Sequence, residues 1–237
     1  MALVVLTREA PLNDELHERL KDLADVLEVP LSVTRYAAEA AVASAIASSS
    51  ADGTFATLAL TSARSARYAP VALGHCARDA VVAVVGEKTA AAVRSACPGA
   101  RVVVSNESTA RDLAAVIEQG PVLALGARDP RPELAEVLDE RGIELVRVAC
   151  YETTPAVLDI EGREAIASAD VVVIAAPSAW EIARFLVSRD ATIVVTGETT
   201  FAAVASTHER VVNADGDLAG AVVAALAGDG GAPGDLT

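Results

Sequence analysis

The sequence predicts an α/β protein built from two similar doubly wound, parallel-sheet domains with a cleft between them. Three observations carry that prediction. The chain reads twice: VVAVVGEKTAAAV (Val81 to Val93) and then ARDLAAVI (Ala110 to Ile117) return as ATIVVTGETTFAAV (Ala191 to Val204) and then GDLAGAVV (Gly216 to Val223). Its short β-branched runs are nearly continuously apolar. Helical segments separate those runs, which is the strand–helix rhythm of a parallel sheet. Gly86 and Gly197 stand 111 residues apart, as do Thr89 and Thr200. Upstream, TRYAAE is echoed by ACYETT, with Tyr36 and Tyr151 115 residues apart. A period of that length exceeds a solenoid unit and matches a small domain.

Taken in order, strands are expected at LVVLT (3–7), TLALT (57–61), VVAVV (81–85), RVVVS (101–105), VLALG (122–126), VVVIA (171–175) and TIVVT (192–196). None alternates cleanly between apolar and polar, as expected for strands covered on both faces. Between them, STARDLAAVIEQG (108–120) reads as a helix with Thr109 and Asp112 forming a variant capping box and Gly120 as its end. PELAEVLDERG (132–142) reads as another, with Pro132 in its first turn and Gly142 as its stop. The acidic residues of that helix are expected to form a solvated face.

The 237 residues suffice for one large or two modest cores. Aromatics make up only 3% of the chain, so those cores must be built from Ala, Val and Leu. A net charge of −14 argues against a general affinity for nucleic acid or an anionic membrane, both of which select basic surfaces. The longest apolar runs fall well short of the roughly 20 residues of a membrane span, and Met1 leads directly into a strand without a visible leader. The three cysteines, Cys76, Cys97 and Cys150, form no disulfide framework or zinc motif and suit a reducing cytoplasm. The tail Gly228 to Thr237 has linker composition and is expected to be disordered.

Ligands of parallel α/β sheets bind beyond the carboxyl ends of the strands. Five loops there combine small residues, hydroxyls and a helix start: Thr7–Arg8, Thr61 to Ser65, Gly86 to Ala90, Ala175 to Ala179, and Gly197 to Phe201. Each suits an anion, although helix capping explains the hydroxyls too. A P-loop is excluded, because Val81 stands where its first glycine is required. No dinucleotide fingerprint follows the first strand. His17, His75 and His208 lack ligand spacing and read as ordinary surface residues, so no metal is expected. No Ser-His-Asp or Cys-His arrangement is present.

These loops, in this order, resemble those of the uroporphyrinogen-III synthase family. The resemblance runs from Val4 to about Leu226. It rests on Thr7–Arg8, Thr61–Ser62, Gly86 to Ala90, Leu134, Leu138, Gly142, Tyr151, Pro177–Ser178 and Gly197 to Thr200. It implies two flavodoxin-like domains joined by a two-stranded linker, residues 1–35 completing one domain with 152–237 and residues 36–151 forming the other. It further implies a monomeric enzyme without cofactor or metal. That enzyme cyclises hydroxymethylbilane, a linear tetrapyrrole with eight carboxylates, inverting ring D with loss of water. By the same resemblance Tyr151 would act on the leaving hydroxyl. Arg8, Ser62, Arg64, Lys88, Thr89, Ser178, Thr199 and Thr200 would bind substrate.

The chain departs from the family pattern at several points. The second TS-type loop reads Ala175-Ala176 and lacks two hydroxyls, and Phe201 stands where alanine is usual. Arg64 marks the place of a common asparagine, and a glycine expected near Leu27 is absent. The arginine usual beside Gly126 is missing, with Arg128 and Arg131 as candidate substitutes. These changes leave an alternative: a non-catalytic relative that binds a tetrapyrrole or another polyanion.

Overall fold

Apolar strand segments with helical segments between them can bury both faces only by stacking parallel strands between two helical layers. The computed structural model, which describes residues 1–10, 12–49, 54–107 and 109–228, does this twice. Met1–Val33 and Thr154–Thr237 form one compact unit, and Thr34–Thr153 form the second. The tail expected to be disordered lies, from residue 229 on, outside the described residues.

The first unit holds β1 (Leu3–Leu6), α1 (Asp14–Leu20) and β2 (Asp25–Glu28). The chain leaves it along β3 (Ser32–Tyr36). The second unit contains α2 (Glu39–Ser49), β4 (Phe55–Leu60), a 3₁₀ turn (Ala63–Tyr68), α3 (Ala69–Leu73) and β5 (Cys76–Val84). It continues with α4 (Gly86–Ala96), β6 (Arg101–Val104), α5 (Ala110–Val116), β7 (Val122–Ala127) and α6 (Glu133–Glu140). The chain returns along β8 (Leu145–Pro155). The first unit is then completed by α7 (Ile160–Ser168), β9 (Val171–Ile174), α8 (Pro177–Ala183), β10 (Thr192–Val195), α9 (Glu198–Ala205), β11 (Val211–Asn213) and α10 (Leu218–Leu226).

The first unit's sheet has the order β11-β10-β9-β1-β2 and is parallel throughout. Its register explains the apolar runs. The row Val5, Val172, Ile193 faces one helical layer with Trp180 and Val204, and the row Leu6, Val173, Val194 faces the other with Leu16, Leu20 and Val222. The second unit's sheet runs β3-β8-β7-β4-β5-β6. One face carries the row Val146, Leu123, Leu58, Val82 and the opposite face the row Arg147, Ala124, Ala59, Ala83. Large side chains fill the first face, whereas alanines line the one under α5 and α6. In β3 and β8, the Ala37 N–H donates to the Cys150 carbonyl and the Ala156 N–H to the Leu31 carbonyl, each at 3.0 Å. The two contacts run in opposite directions along the chain, so this pair is antiparallel.

All seven expected strands are present. The short β2, β3 and β11 and the long, charge-bearing β8 lack an extended apolar run and are added by the structure. Two helix ends also differ from expectation. α5 stops at Val116 rather than at Gly120, because buried Ile117 turns into extended backbone. The Arg141 guanidinium takes up the carbonyls of Ala114 and, at 2.8 Å, of Ile117. Pro132 caps α6 rather than lying inside it, while Gly142, at φ +65°, ends that helix as expected. Among the described residues no helix is long and apolar enough to cross a membrane.

Candidate functional site

In the second unit, neighbouring strands bring five of the nine expected site residues to the sheet. Ser62 and Arg64 follow β4, and Lys88 and Thr89 open α4 after β5. Tyr151 lies within β8, beside β7. Gly86 makes the turn into α4 at φ +73°, a conformation that favours glycine. The Ser62 hydroxyl accepts the Arg64 N–H at 3.2 Å, so it caps the 3₁₀ turn. Thr89 does not cap α4; that position is Val85, with no side-chain bond. The Thr89 side chain is buried, yet its hydroxyl has no hydrogen-bond partner among the described residues. Lys88 is exposed, and its neighbour Glu87 is taken by Arg94 at 3.1 Å.

Tyr151 is half-buried against the core face of the second unit. Its ring stands 6.3 Å from that of Tyr36, over which the Arg67 guanidinium lies at 4.6 Å. Below them the Tyr68 hydroxyl donates to the Ala37 carbonyl at 2.6 Å. The Tyr151 ring thus lies between the core face and Tyr36, while its hydroxyl has no partner among the described residues.

In the first unit, the remaining four residues follow the neighbouring strands β1, β9 and β10. Arg8 is the most elaborately held. The amide of Asn13, only 1% exposed, donates to the Arg8 carbonyl at 2.6 Å, and its oxygen accepts the Arg8 Nε–H at 3.3 Å. Asn13 also donates to Glu28 at 3.5 Å, and Glu28 meets the His17 ring at 3.0 Å. Partial burial lowers the guanidinium's pKa from its ordinary value. Ser178 and Thr199 are exposed within the first turns of α8 and α9. Thr200 is buried like its repeat partner Thr89, does not cap, and has a hydroxyl without a partner among the described residues.

Two of the departures from the family pattern can be placed in the first unit. Ala176 caps α8 at φ −153° and ψ 150°, nearly the backbone of its repeat partner Ser62 at −156° and 143°, but offers no hydroxyl. Phe201 packs partly buried against the first unit's core, so its bulk has a place there. Two histidines are less superficial than their spacing suggested. His17 is held by Glu28, and His208 meets the Ala191 carbonyl at 2.9 Å with its ring edge-on to Trp180. Among the described residues no group of three His, Cys, Asp or Glu side chains could hold a metal. Burial pushes the Cys76 thiol up to about 11 and raises those of Cys97 and Cys150, so the thiols stay protonated at neutral pH.

A cavity of about 960 Å³ opens in the second unit where α5, α6 and the carboxyl end of β7 meet. The small Ala124, Gly126, Ala127 and Ala149 leave room there. Arg111, Arg128, Arg131 and Arg147 line it, together with Glu133, one of whose carboxyl oxygens is buried without a hydrogen-bond partner. Glu133 thus corrects the expectation of a wholly solvated acidic face on α6; Glu136, Asp139 and Glu140 fit it. Sequence reasoning missed Asn13, Arg111, Arg147 and Glu133, which belong to no motif. A charge count by segment holds the one available signal: the second unit carries 12 basic and 14 acidic residues, the first 7 and 19.

Two α/β units whose parallel strands present loops at their carboxyl ends define the class, an α/β protein of the kind that binds ligands there. Within that class the chain belongs to the uroporphyrinogen-III synthase family: the model of that family, described as uroporphyrinogen-III synthase HemD, matches residues 14–216. It is accordingly an enzyme of tetrapyrrole biosynthesis. The fold is similar to that of a mutant uroporphyrinogen III synthase from Thermus thermophilus, with a TM-score of 0.66 and 17% identity over 96% of this chain and 100% of that one. It is also similar to uroporphyrinogen-III synthetase from Helicobacter pylori, with a TM-score of 0.62 and 17% identity over 96% and 99% of the two chains. No curated protein sequence matches the chain.

Proposed function

We propose that this chain closes hydroxymethylbilane into uroporphyrinogen III, inverting ring D with loss of water, as a cytoplasmic monomer acting without nucleic acid or membrane. The observation that carries the reading is the pair Thr89 and Thr200. They are equivalent in the repeat, buried at the starts of α4 and α9, and not used as caps. Hydroxyls so placed are available to substrate carboxylates, with Ser62, Arg64 and Lys88 accompanying Thr89 in the second unit and Arg8, Ser178 and Thr199 accompanying Thr200 in the first. Charged donors make the strongest of these bonds. Catalysis then consists of holding the two ends of the linear substrate together and favouring attack at the substituted position over simple closure, a matter of differential transition-state binding. Tyr151, its ring packed beside Tyr36 and its hydroxyl available, donates to the departing hydroxyl.

The test is a coupled assay in which hydroxymethylbilane is generated in the presence of the protein and the oxidised porphyrins are separated by isomer. The wild-type protein is expected to yield isomer III. Tyr151→Phe is expected to lower the rate by about 100-fold while leaving substrate binding intact. Isomer I alone, from folded wild-type protein, overturns the catalytic reading and favours the binding protein. An undiminished rate in Tyr151→Phe removes Tyr151 from the chemistry and leaves it a packing residue against Tyr36.

A further inference from the structure

The cavity between α5 and α6 involves none of the nine residues assigned above, and its lining is chemically mixed. Arg128 is committed to Glu152 at 2.9 Å, but Arg111, Arg131 and Arg147 form no ion pair among the described residues. Three uncommitted guanidiniums in one cavity of a strongly acidic protein suit carboxylates, which guanidinium groups bind with two parallel hydrogen bonds. The lining also carries Glu107, Asp112 and Asp129, of which Asp112 is engaged by the Thr109 hydroxyl. Glu133 adds a buried carboxyl oxygen that requires a donor, since a buried acceptor without one is costly. A simple polyanion would satisfy the arginines and leave Glu133 unsatisfied. A ligand is needed that bears carboxylates at one edge and an N–H at another. A pyrrole ring with carboxylate arms has that pattern, because its nitrogen lies across the ring from the carbons that carry the arms.

We infer that this cavity is a subsite for one pyrrole ring, with Arg111, Arg131 and Arg147 pairing its carboxylates and Glu133 accepting its ring N–H. The inference rests on the tetrapyrrole reading and deepens it. At about 960 Å³ the cavity lies at the upper end of small-molecule sites, which span roughly 300–1,000 Å³, so the ring and two arms fit. Ala124, Gly126, Ala127 and Ala149 give the cavity a small-residue wall against which such a ring can rest.

The experiment is calorimetric titration of the full-length protein with a monopyrrole bearing one acetate and one propionate arm, followed by the coupled assay. The double variant Arg131→Gln/Arg147→Gln is expected to bind the probe at least tenfold more weakly and to raise KM tenfold with little change in kcat. Glu133→Leu is expected to weaken the probe, and a pyrrole without carboxylates is expected not to bind. Arg101→Gln, which removes an exposed arginine at the amino end of β6, controls for net charge and should leave both readouts unchanged. Absence of binding to the wild type at millimolar probe, or equal affinity in the double variant, overturns the subsite. Failure of the functional reading looks different: the wild type then binds the probe, responds to the arginine changes, and forms no isomer III.

Discussion

Asn13 stands at the N-cap of α1, a position its residue type favours, yet its side chain caps nothing. Its amide is turned instead onto Arg8, holding both the carbonyl and the guanidinium. A buried amide with this commitment orients a cation that would otherwise sample many rotamers. Replacing Asn13 by Ala leaves the Arg8 carbonyl without its donor, which is expected to cost about 1–3 kcal/mol in urea denaturation. With Arg8 released, KM for hydroxymethylbilane should rise more than kcat falls. An unchanged KM in Asn13→Ala, together with a raised KM in Arg8→Gln, would show that Arg8 acts without this support.

At the scale of elements, the two halves of the repeat provide their own control. Ser62 and Ala176 share one backbone conformation at the start of a helical segment, and only Ser62 has a hydroxyl to offer. Ala176→Ser is therefore expected to stabilise the protein by about 0.5–1 kcal/mol, and Ser62→Ala to destabilise it by a similar amount. Urea midpoints of the two variants check both signs. A stabilised Ala176→Ser with ordinary isomer III production would mark the missing hydroxyl as drift in stability rather than loss of a binding group. Elsewhere, α5 is terminated by a residue distant in sequence, Arg141, which explains why local punctuation misplaced its end.

For the whole molecule, the order of strands decides which segments can fold alone. Residues 34–153 are contiguous and hold the apolar clusters on both faces of their sheet. Expressed alone, they are expected to unfold cooperatively in urea. Residues 154–237 lack β1, which lies between β9 and β2 and supplies Val4, Val5 and Leu6 to both faces. Alone, that segment should show no cooperative transition by circular dichroism. The same division concentrates 12 of the 19 basic residues in the second unit.

The sequence by itself determined the fold class, the seven buried strands and the repeat, because burial on both faces writes itself as unbroken apolar runs. It also determined which loops stand at the carboxyl ends of the strands, since parallel strands place every βα turn at one end of a sheet. Thr89 and Thr200 could be found that way, but whether they cap a helix could not. Capping depends on where α4 and α9 begin, and with N-caps at Val85 and Gly197 the two threonines fall inside the first turns, a placement that local propensity does not resolve. Only the tertiary structure decided that Asn13 serves Arg8 rather than α1, that Arg111, Arg131, Arg147 and Glu133 meet in one cavity, and that the Tyr151 ring lies beside that of Tyr36. Those residues lie far apart or belong to no motif. What joins the cavity residues is the register of β7 with β8 and the packing of α5 against α6, contacts of long sequence separation that no local pattern encodes.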